Sequence, residues 1–346
     1  MSAKGRIERM SQQFDIPVAL ILFRRIDTLD SIIARLRQVN PQKVYLLSDQ
    51  GRTEEEREQV KKVREYVLAL IDWDCEVVKY FAGENRGVYK NIALGAKWVF
   101  EREESAIFLE DDNLPETTFF DYCKEMLEKY KTDSRVLWVC GTNYLGSYVP
   151  EDDASYVFTR QLLPCGWASW SDKFLKYYDF NLDTLNAVNA KRVRQSFIDK
   201  RLFTQLMDWV LMEKSRYEKQ GNYFSWDYHM AWSVRVHSMF GISPAKNQIK
   251  NIGVDSLSEH GGSSLDMEMT KRFCGMDSSP LTFPLKHPQT VLQDHEYEKR
   301  VEKIILLPFE SRFRGNVSKS IHKLLKIPRE ENWKKYIKEH FFRGNK

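Results

Sequence analysis

No stretch of this 346-residue chain approaches the roughly 18 apolar residues that a membrane-spanning helix needs. Cysteine is sparse and scattered: Cys75, Cys123, Cys140, Cys165 and Cys274 are five in number, with no Cys-x-x-Cys pair among them. An odd, dispersed set argues for reduced, mostly buried thiols in a cytosolic protein, and against both a disulfide framework and a zinc site. Residues 1–15 are polar and lack the apolar core of a signal peptide. A cytoplasmic location is therefore expected, with contact at the inner face of a membrane as the one qualification discussed below. There is no Walker-type phosphate loop, and no Gly-x-Gly-x-x-Gly follows the first apolar run, which counts against a P-loop ATPase and a nicotinamide enzyme. No internal repeat is present. No nucleic-acid-binding module accompanies the basic residues, so nucleic acid is not an expected partner.

What is present suits a soluble globular protein with a substantial core. Apolar residues make up 42% and charged residues 29% of the chain. Aromatic residues reach 13%, with nine Trp and sixteen Tyr, a supply that serves sugar or base stacking as well as core packing. The net charge of +4 is unevenly placed. From Arg312 to Lys346 there are eleven Lys or Arg against three Glu, so the remainder of the chain is net acidic.

The first half alternates strand and helix. Ile16–Phe23 is a continuous apolar run, as a strand buried on both faces requires. Asp27 and Thr28 can cap a helix over residues 29–39, with Ile32, Ile33, Leu36 and Val39 on one face. Lys43–Leu47 is a second strand, closed by Ser48, Asp49, Gln50 and Gly51. Thr53 with Glu56 forms a capping box for a helix reaching about Ile71. Cys75–Phe81 is a third strand, Gly83–Gly87 a turn and Val88–Glu101 a helix. Ala106–Leu109 is a fourth strand, and Thr117–Tyr130 the helix after it. This alternation predicts an α/β, Rossmann-like, mostly parallel sheet flanked by helices. Val136–Cys140 is a further strand, followed by less regular texture: a strand at Tyr156–Thr159, a compact aromatic loop at Pro164–Trp170, a helix near Ser171–Tyr178, a helix with a break over Lys191–Lys219, and a helix over Tyr228–His237. The expected division is a flexible segment 1–15, a main domain 16–281, and a helical extension 282–346.

The fourth strand ends in three adjacent carboxylates, Glu110, Asp111 and Asp112. In open α/β sheets, ligands collect beyond the carboxyl ends of the strands. Neighbouring carboxylates repel one another unless a cation shares them, and a hard divalent ion such as Mg²⁺ or Mn²⁺, bringing phosphate oxygens with it, is the natural partner. The alternative is a solvated loop and helix start; the strong apolar strand directly before the acids favours the site. The other early strands end in Arg24-Arg25, in Asp49 and in the Asn85–Gly87 turn, which together can read a nucleotide.

In order and spacing, Phe23-Arg24-Arg25, Ser48-Asp49, Gly87–Asn91, Phe108–Asp112, Pro164–Trp167, Trp226-Asp227, Asn251–Gly253 and Glu259-His260-Gly261 resemble the landmarks of the GT-A nucleotide-sugar glycosyltransferases. The likeness is greatest to the N-acetylglucosaminyltransferase I group and related bacterial enzymes, and it runs from about Ile16 to His260. It implies that Asp112 binds the divalent metal, that Asp111 lies near the ribose, and that Glu110 lies near the donor sugar. It also implies that Asp49 contacts the base, with Arg25 beside it, and that Asp227 is the catalytic base for an acceptor hydroxyl. Direct displacement by one base-activated hydroxyl would invert the anomeric centre. Arg86 and Lys90, after the third strand, are candidates for the donor phosphates; Arg86 could equally be only a turn residue. His260 is a candidate near the metal or diphosphate, with loop solvation as its alternative.

Other readings stay open on the sequence. Asp227 can simply cap the following helix. Trp167, Trp170 and Trp226 can line an acceptor site or fill the core. His229 and His237, eight residues apart on one helix, are expected to pack or face solvent rather than share a metal. A sugar-nucleotide pyrophosphorylase shares the sheet and the acids but usually has a Gly-rich segment where this chain has Phe23-Arg24-Arg25. A non-catalytic carbohydrate-binding protein would not need both Asp112 and Asp227, and their joint presence argues for catalysis. The C-terminal tail alternates cationic and apolar positions at helical spacing, as a peripheral membrane segment does, or as a packed helix with a solvated basic face does. An acceptor that is a glycan or a lipid-linked glycan is consistent with either.

Overall fold

The computed structural model describes residues 13–253 and 274–326. The chain divides into two compact units, the first ending at Lys303 and the second starting at Ile304. The first unit is organised by an eight-stranded sheet of order β3-β2-β1-β4-β8-β6-β9-β7. Its strands are β1 Val18–Leu22, β2 Lys43–Ser48, β3 Glu76–Phe81, β4 Ser105–Glu110, β6 Val136–Cys140, β7 Tyr156–Thr159, β8 Trp167–Trp170 and β9 Phe240–Pro244. β3, β2, β1 and β4 run parallel, as do β6 and β9, while β8 and β7 run against their neighbours. The sheet is thus mixed but mostly parallel and Rossmann-like, as the alternation predicts.

Each early element follows from its residues. All five residues of β1 are buried, because β1 lies inside the sheet and is covered on both faces. Helix α1, Leu29–Val39, buries Leu29, Ile32, Ile33 and Leu36 along one stripe. Helix α2, Glu54–Leu70, starts at Thr53, whose side chain accepts the Glu56 N–H at 3.3 Å. Glu56 does not close the box on Thr53. Its carboxylate accepts from the Arg52 backbone N–H at 2.8 Å and pairs with Arg24 Nη1 at 2.8 Å. Hydrogen bonding to Arg52 holds it down at about 2. After β3, Lys90–Leu94 is a turn of π-helix that passes into helix α3, Gly95–Phe100.

Two elements differ from expectation. The aromatic segment before residue 171 is not all loop: Trp167–Trp170 forms β8 and inserts antiparallel between β4 and β6. The residues after the acids are not simply a loop and helix start. Asn113–Pro115 is a short strand, β5, paired antiparallel with β10, Ile249–Asn251. Pro115 is tolerated at the end of so short a pairing, where a missing N–H costs little. Helix α4, Thr117–Lys129, follows.

The later helices are α5 Ser171–Tyr177, α6 Ala187–Gln195, α7 Lys200–Gln220, α8 Asp227–Val236 and α9 His295–Ile305. The break expected between Lys191 and Lys219 falls at residues 196–199. The packing does not change at 281/282. Lys286 O accepts the Ser155 N–H at 2.8 Å, the Asp294 N–H reaches Phe158 O at 2.9 Å, and Tyr297 and Val301 are buried, so residues 282–303 belong to the first unit. The second unit contributes one described helix, α10, Phe309–Leu325. All five cysteines are free thiols.

Candidate active site

Three strand ends build one face of the site. At the end of β2, the buried Asp49 carboxylate accepts from the backbone N–H groups of Gln50, Arg86 and Gly87 at 2.8, 2.8 and 2.9 Å, and from Asn85 Nδ2 at 3.1 Å. Asp49 therefore shapes the Asn85–Gly87 turn. Gly87 has φ +80°, a left-handed conformation that the turn requires and that glycine adopts without strain. Arg64 ties the ends of β2 and β3 together by donating to Ser48 O, Asp49 O and Ala82 O. Arg86 lays its guanidinium over the Tyr80 ring at 4.5 Å. Lys90 opens the π-helical turn and is partly exposed.

At the end of β4 stand Glu110, Asp111 and Asp112. Asp111 Oδ2 accepts the Phe23 N–H at 2.9 Å, and Asp111 O accepts the Thr28 hydroxyl. Thr28 thus ties α1 to the acids rather than capping its own helix, where it makes no side-chain cap bond. Asp112 Oδ1 accepts Asn113 Nδ2 at 2.5 Å, and Asp112 O accepts the Ile252 N–H at 2.8 Å. The β5–β10 pairing explains the second contact, because it lays residues 249–253 alongside 112–115. It also carries Gly253 onto the acid. A Cβ at residue 253 would stand 2.4 Å from Asp112 Oδ2, closer than any side chain could tolerate. Arg25, buried beyond β1, donates through Nη2 to Gly253 O at 3.0 Å.

The electrostatics of the trio are unbalanced. Burial pushes Glu110 well above the ordinary carboxylate range, and the charges of Asp112, Asp111 and Asp227 push it the same way. Burial, then Asp112, raises Asp111 to about 7, against the Phe23 N–H and Arg25. Burial also raises Asp112, against Arg25 and the Asn251 and Asn113 amides. Among the described residues, no group of three or more His, Cys, Asp or Glu closes around a metal ion. The all-oxygen donor set nevertheless fits a hard divalent cation that takes one or two protein carboxylates and completes its shell with phosphate oxygens and water. Added positive charge would offset the burial that raises all three acids and the mutual repulsion that adds to it at Glu110 and Asp111.

Asp227 is the first residue of α8. The helix has Trp226 at its N-cap position, with no side-chain cap bond, so the capping alternative for Asp227 is not what the structure shows. Instead Ser225 Oγ donates to Asp227 Oδ1, and Ser225 Oγ in turn accepts the Tyr228 N–H at 3.4 Å. Ser225 is itself held by Glu213 of α7. That fully buried carboxylate accepts the N–H groups of Phe224 and Ser225 at 2.7 and 3.0 Å. Glu213 was missed from sequence, where one more Glu in a charged helix carries no signal of burial.

Trp167 is 1% exposed and stacked between Phe108, at 4.0 Å, and Trp138, at 4.2 Å. Its faces are taken by core rings, which corrects the acceptor reading in favour of packing. Trp170 is likewise buried, its Nε1 donating to Leu127 O at 2.9 Å. Trp226 is buried at the end of the same column, 5.7 Å from Trp167, and its carbonyl accepts the Tyr178 hydroxyl at 2.9 Å. The column runs from β4 through β8 and β6 to the residue before Asp227. His229 is buried among Tyr89, Tyr178 and Tyr223, and His237 packs on Tyr177, as expected of packing histidines. Burial pushes His229 down to about 4. His260 lies outside the described residues.

No known family profile matches the chain, and no curated protein matches it. Among solved structures, it is similar to a mannosyltransferase from Pyrobaculum calidifontis in complex with GDP-Man and Mn²⁺, at 11% identity and TM-score 0.33, over 68% of this chain and 76% of that one. It is also similar to a glucosyl-3-phosphoglycerate synthase from Mycobacterium tuberculosis, complexed with Mn²⁺, UDP-Glc and phosphoglyceric acid, at 10% identity and TM-score 0.34, over 83% and 94%. An apo UDP-glucose pyrophosphorylase matches at 9% identity and TM-score 0.34, over 68% and 93%. These neighbours are nucleotide-sugar enzymes. Similarity this low assigns neither residues nor a reaction to the chain.

Proposed function

We propose that this protein is a GT-A type glycosyltransferase that moves a sugar from a nucleoside-diphosphate sugar to an acceptor hydroxyl. A UDP-sugar is the favoured donor, a hexose or N-acetylhexosamine the favoured group, and a glycan or lipid-linked glycan the favoured acceptor. The observation that carries the reading is the relation of Asp227 to the trio. A carboxylate on α8, steered by a dedicated hydroxyl, stands near enough to add its charge to the push on Glu110 at the end of β4. A binding protein needs no further carboxylate beside an acidic cluster.

In this reading, Asp49 and the Asn85–Gly87 turn hold the nucleoside end, with Arg25 alongside, and Arg86 and Lys90 lie towards the diphosphate. Asp112, helped by its neighbours, would hold Mn²⁺ or Mg²⁺. Such an ion, when bound, neutralises the charge that grows on a departing nucleoside diphosphate. Asp111 would face the ribose and Glu110 the donor sugar. Ser225 fixes Asp227 Oδ1, leaving Oδ2 to take the proton of the attacking hydroxyl. A single base-assisted displacement inverts the anomeric carbon. His260 belongs to the proposal only through the family resemblance.

The test is product stereochemistry together with the Asp227→Asn variant. An inverted product from the wild type, and loss of turnover with nucleotide binding intact in the variant, support the reading. A retained anomer removes Asp227 as the base. Pyrophosphate-dependent release of nucleoside triphosphate from the donor would instead mark a pyrophosphorylase.

A further inference from the structure

Helix α10 of the second unit is 17 residues long and turns large apolar side chains outward. Phe309 is 71% exposed, Phe313 57%, Val317 40% and Leu324 81%. They recur at steps of four, four and seven residues, which is one face of an α-helix. The Phe309 and Phe313 rings lie 6.0 Å apart and nearly parallel, so the face begins with an aromatic pair. The same helix carries Arg312, Arg314, Lys319 and Lys323 against a single acid, Glu310. A row of exposed apolar side chains this long is uncommon on a surface that meets only water.

We propose that this face is a docking surface for an anionic lipid bilayer, with the helix lying in the plane of the interface. Charge decides between the occupants. A second copy meeting face to face would bring two cationic helices together, whereas phosphate headgroups attract them. Aromatic and aliphatic side chains sink to the headgroup–acyl boundary, and the basic flanks stay with the phosphates. No described helix is long and apolar enough to cross a membrane, and in-plane binding requires none. The inference does not rest on the proposed reaction.

The test is co-sedimentation of the full chain with phosphatidylcholine vesicles, with and without phosphatidylglycerol. The proposal expects binding to the anionic vesicles, weakened by salt, and little binding to the neutral ones. The triple variant Phe309→Ser, Phe313→Ser, Leu324→Ser should lower the bound fraction about tenfold or more, since it removes the inserted groups. Those side chains are exposed, so folding should survive, and an unchanged far-UV spectrum and melting temperature verify it. Equal sedimentation of wild type and variant overturns the proposal. So does a dimer in vesicle-free solution that the variant dissolves, which would give the face to a second copy. Nucleotide-induced stabilisation in the same preparations reports on the active site separately, so either idea can fail alone.

Discussion

Two clusters of buried acids in the first unit differ in how fully donors surround them. Glu298 and Glu302 of α9 are fully buried, yet they are saturated with donors. Glu298 accepts from Thr159 Oγ1, the Arg160 N–H, Gln161 Nε2 and Arg235 Nη2, at 2.6 to 3.0 Å. Glu302 accepts the N–H groups of Ile198 and Asp199 at 3.1 and 2.5 Å. Arg235, stacked over Phe197 at 3.5 Å, sits among them and also donates to Ser196 O at 3.0 Å. This cluster joins β7, the break between α6 and α7, the C-terminal end of α8, and α9. Glu110, Asp111 and Asp112 show fewer donors among the described residues, and Arg25 bears on Asp111 and Asp112. The first cluster is saturated with donors and holds the fold; the second, among the described residues, has fewer. Helix α8 links them, with Asp227 at one end and Arg235 at the other.

The largest effect that would sharpen this contrast is chemical. Asp227→Asn should lower kcat by roughly 10²–10⁴-fold, the usual worth of a positioned base, while calorimetric binding of the nucleotide stays unchanged. Loss of binding as well would make Asp227 part of the donor site. Next comes the saturated cluster. Arg235→Met strands two buried carboxylates and should cost about 3–5 kcal/mol in denaturant unfolding. A cost under 1 kcal/mol would show that the cluster is not a structural lock. Glu213→Leu leaves the N–H groups of Phe224 and Ser225 buried without an acceptor, at about 1–3 kcal/mol each. It should also lower kcat while sparing nucleotide affinity, because the group displaced is Ser225, which steers Asp227.

Smaller effects probe the acidic trio. Gly253→Ala places a methyl group against Asp112 and should weaken Mn²⁺-dependent nucleotide binding about tenfold, or 1.4 kcal/mol, by titration calorimetry. The smallest is a pH slope in metal-free protein. Asp111 is raised to about 7, so the folded state holds a proton that the unfolded state has already released. Its contribution to stability is therefore present below the ordinary aspartate range and is lost as pH rises towards 7. Asp111→Asn should flatten that fall in chelator; an unaltered slope would show that Asp111 is not strained.

The half of the sheet from β1 to β4 was legible because β1, β2 and β4 carry apolar runs, and the helices carry a regular stripe or a cap such as Thr53. The acids stood out because three carboxylates close a strongly apolar strand, with a solvated loop and helix start as the alternative. The other half was not. Trp167–Trp170 follows Pro164 and Gly166, reads as a loop, and becomes a strand only because β4 and β6 leave an edge for it. Asn113–Pro115 is too short to have a pattern, and its partner lies more than 130 residues away. Glu213, Glu298 and Glu302 sit in charged helices, and nothing local tells a buried acid from a solvated one. The tryptophans point the same way: the sequence left Trp167 open between an acceptor site and the core, and its neighbours in space are Phe108 and Trp138.

The measurement that bears most directly on the central claim is a thermal-shift panel of UDP, GDP, dTDP and CMP, each with Mn²⁺, Mg²⁺ or chelator. A ligand at a hundred times its Kd adds about 2.7 kcal/mol, a readable shift. The account predicts stabilisation by a nucleoside diphosphate, UDP first, in the presence of Mn²⁺ or Mg²⁺ and not in chelator. No shift under any condition, or an equal shift in chelator, would contradict Asp112 as a metal ligand and with it the reading of the acidic trio.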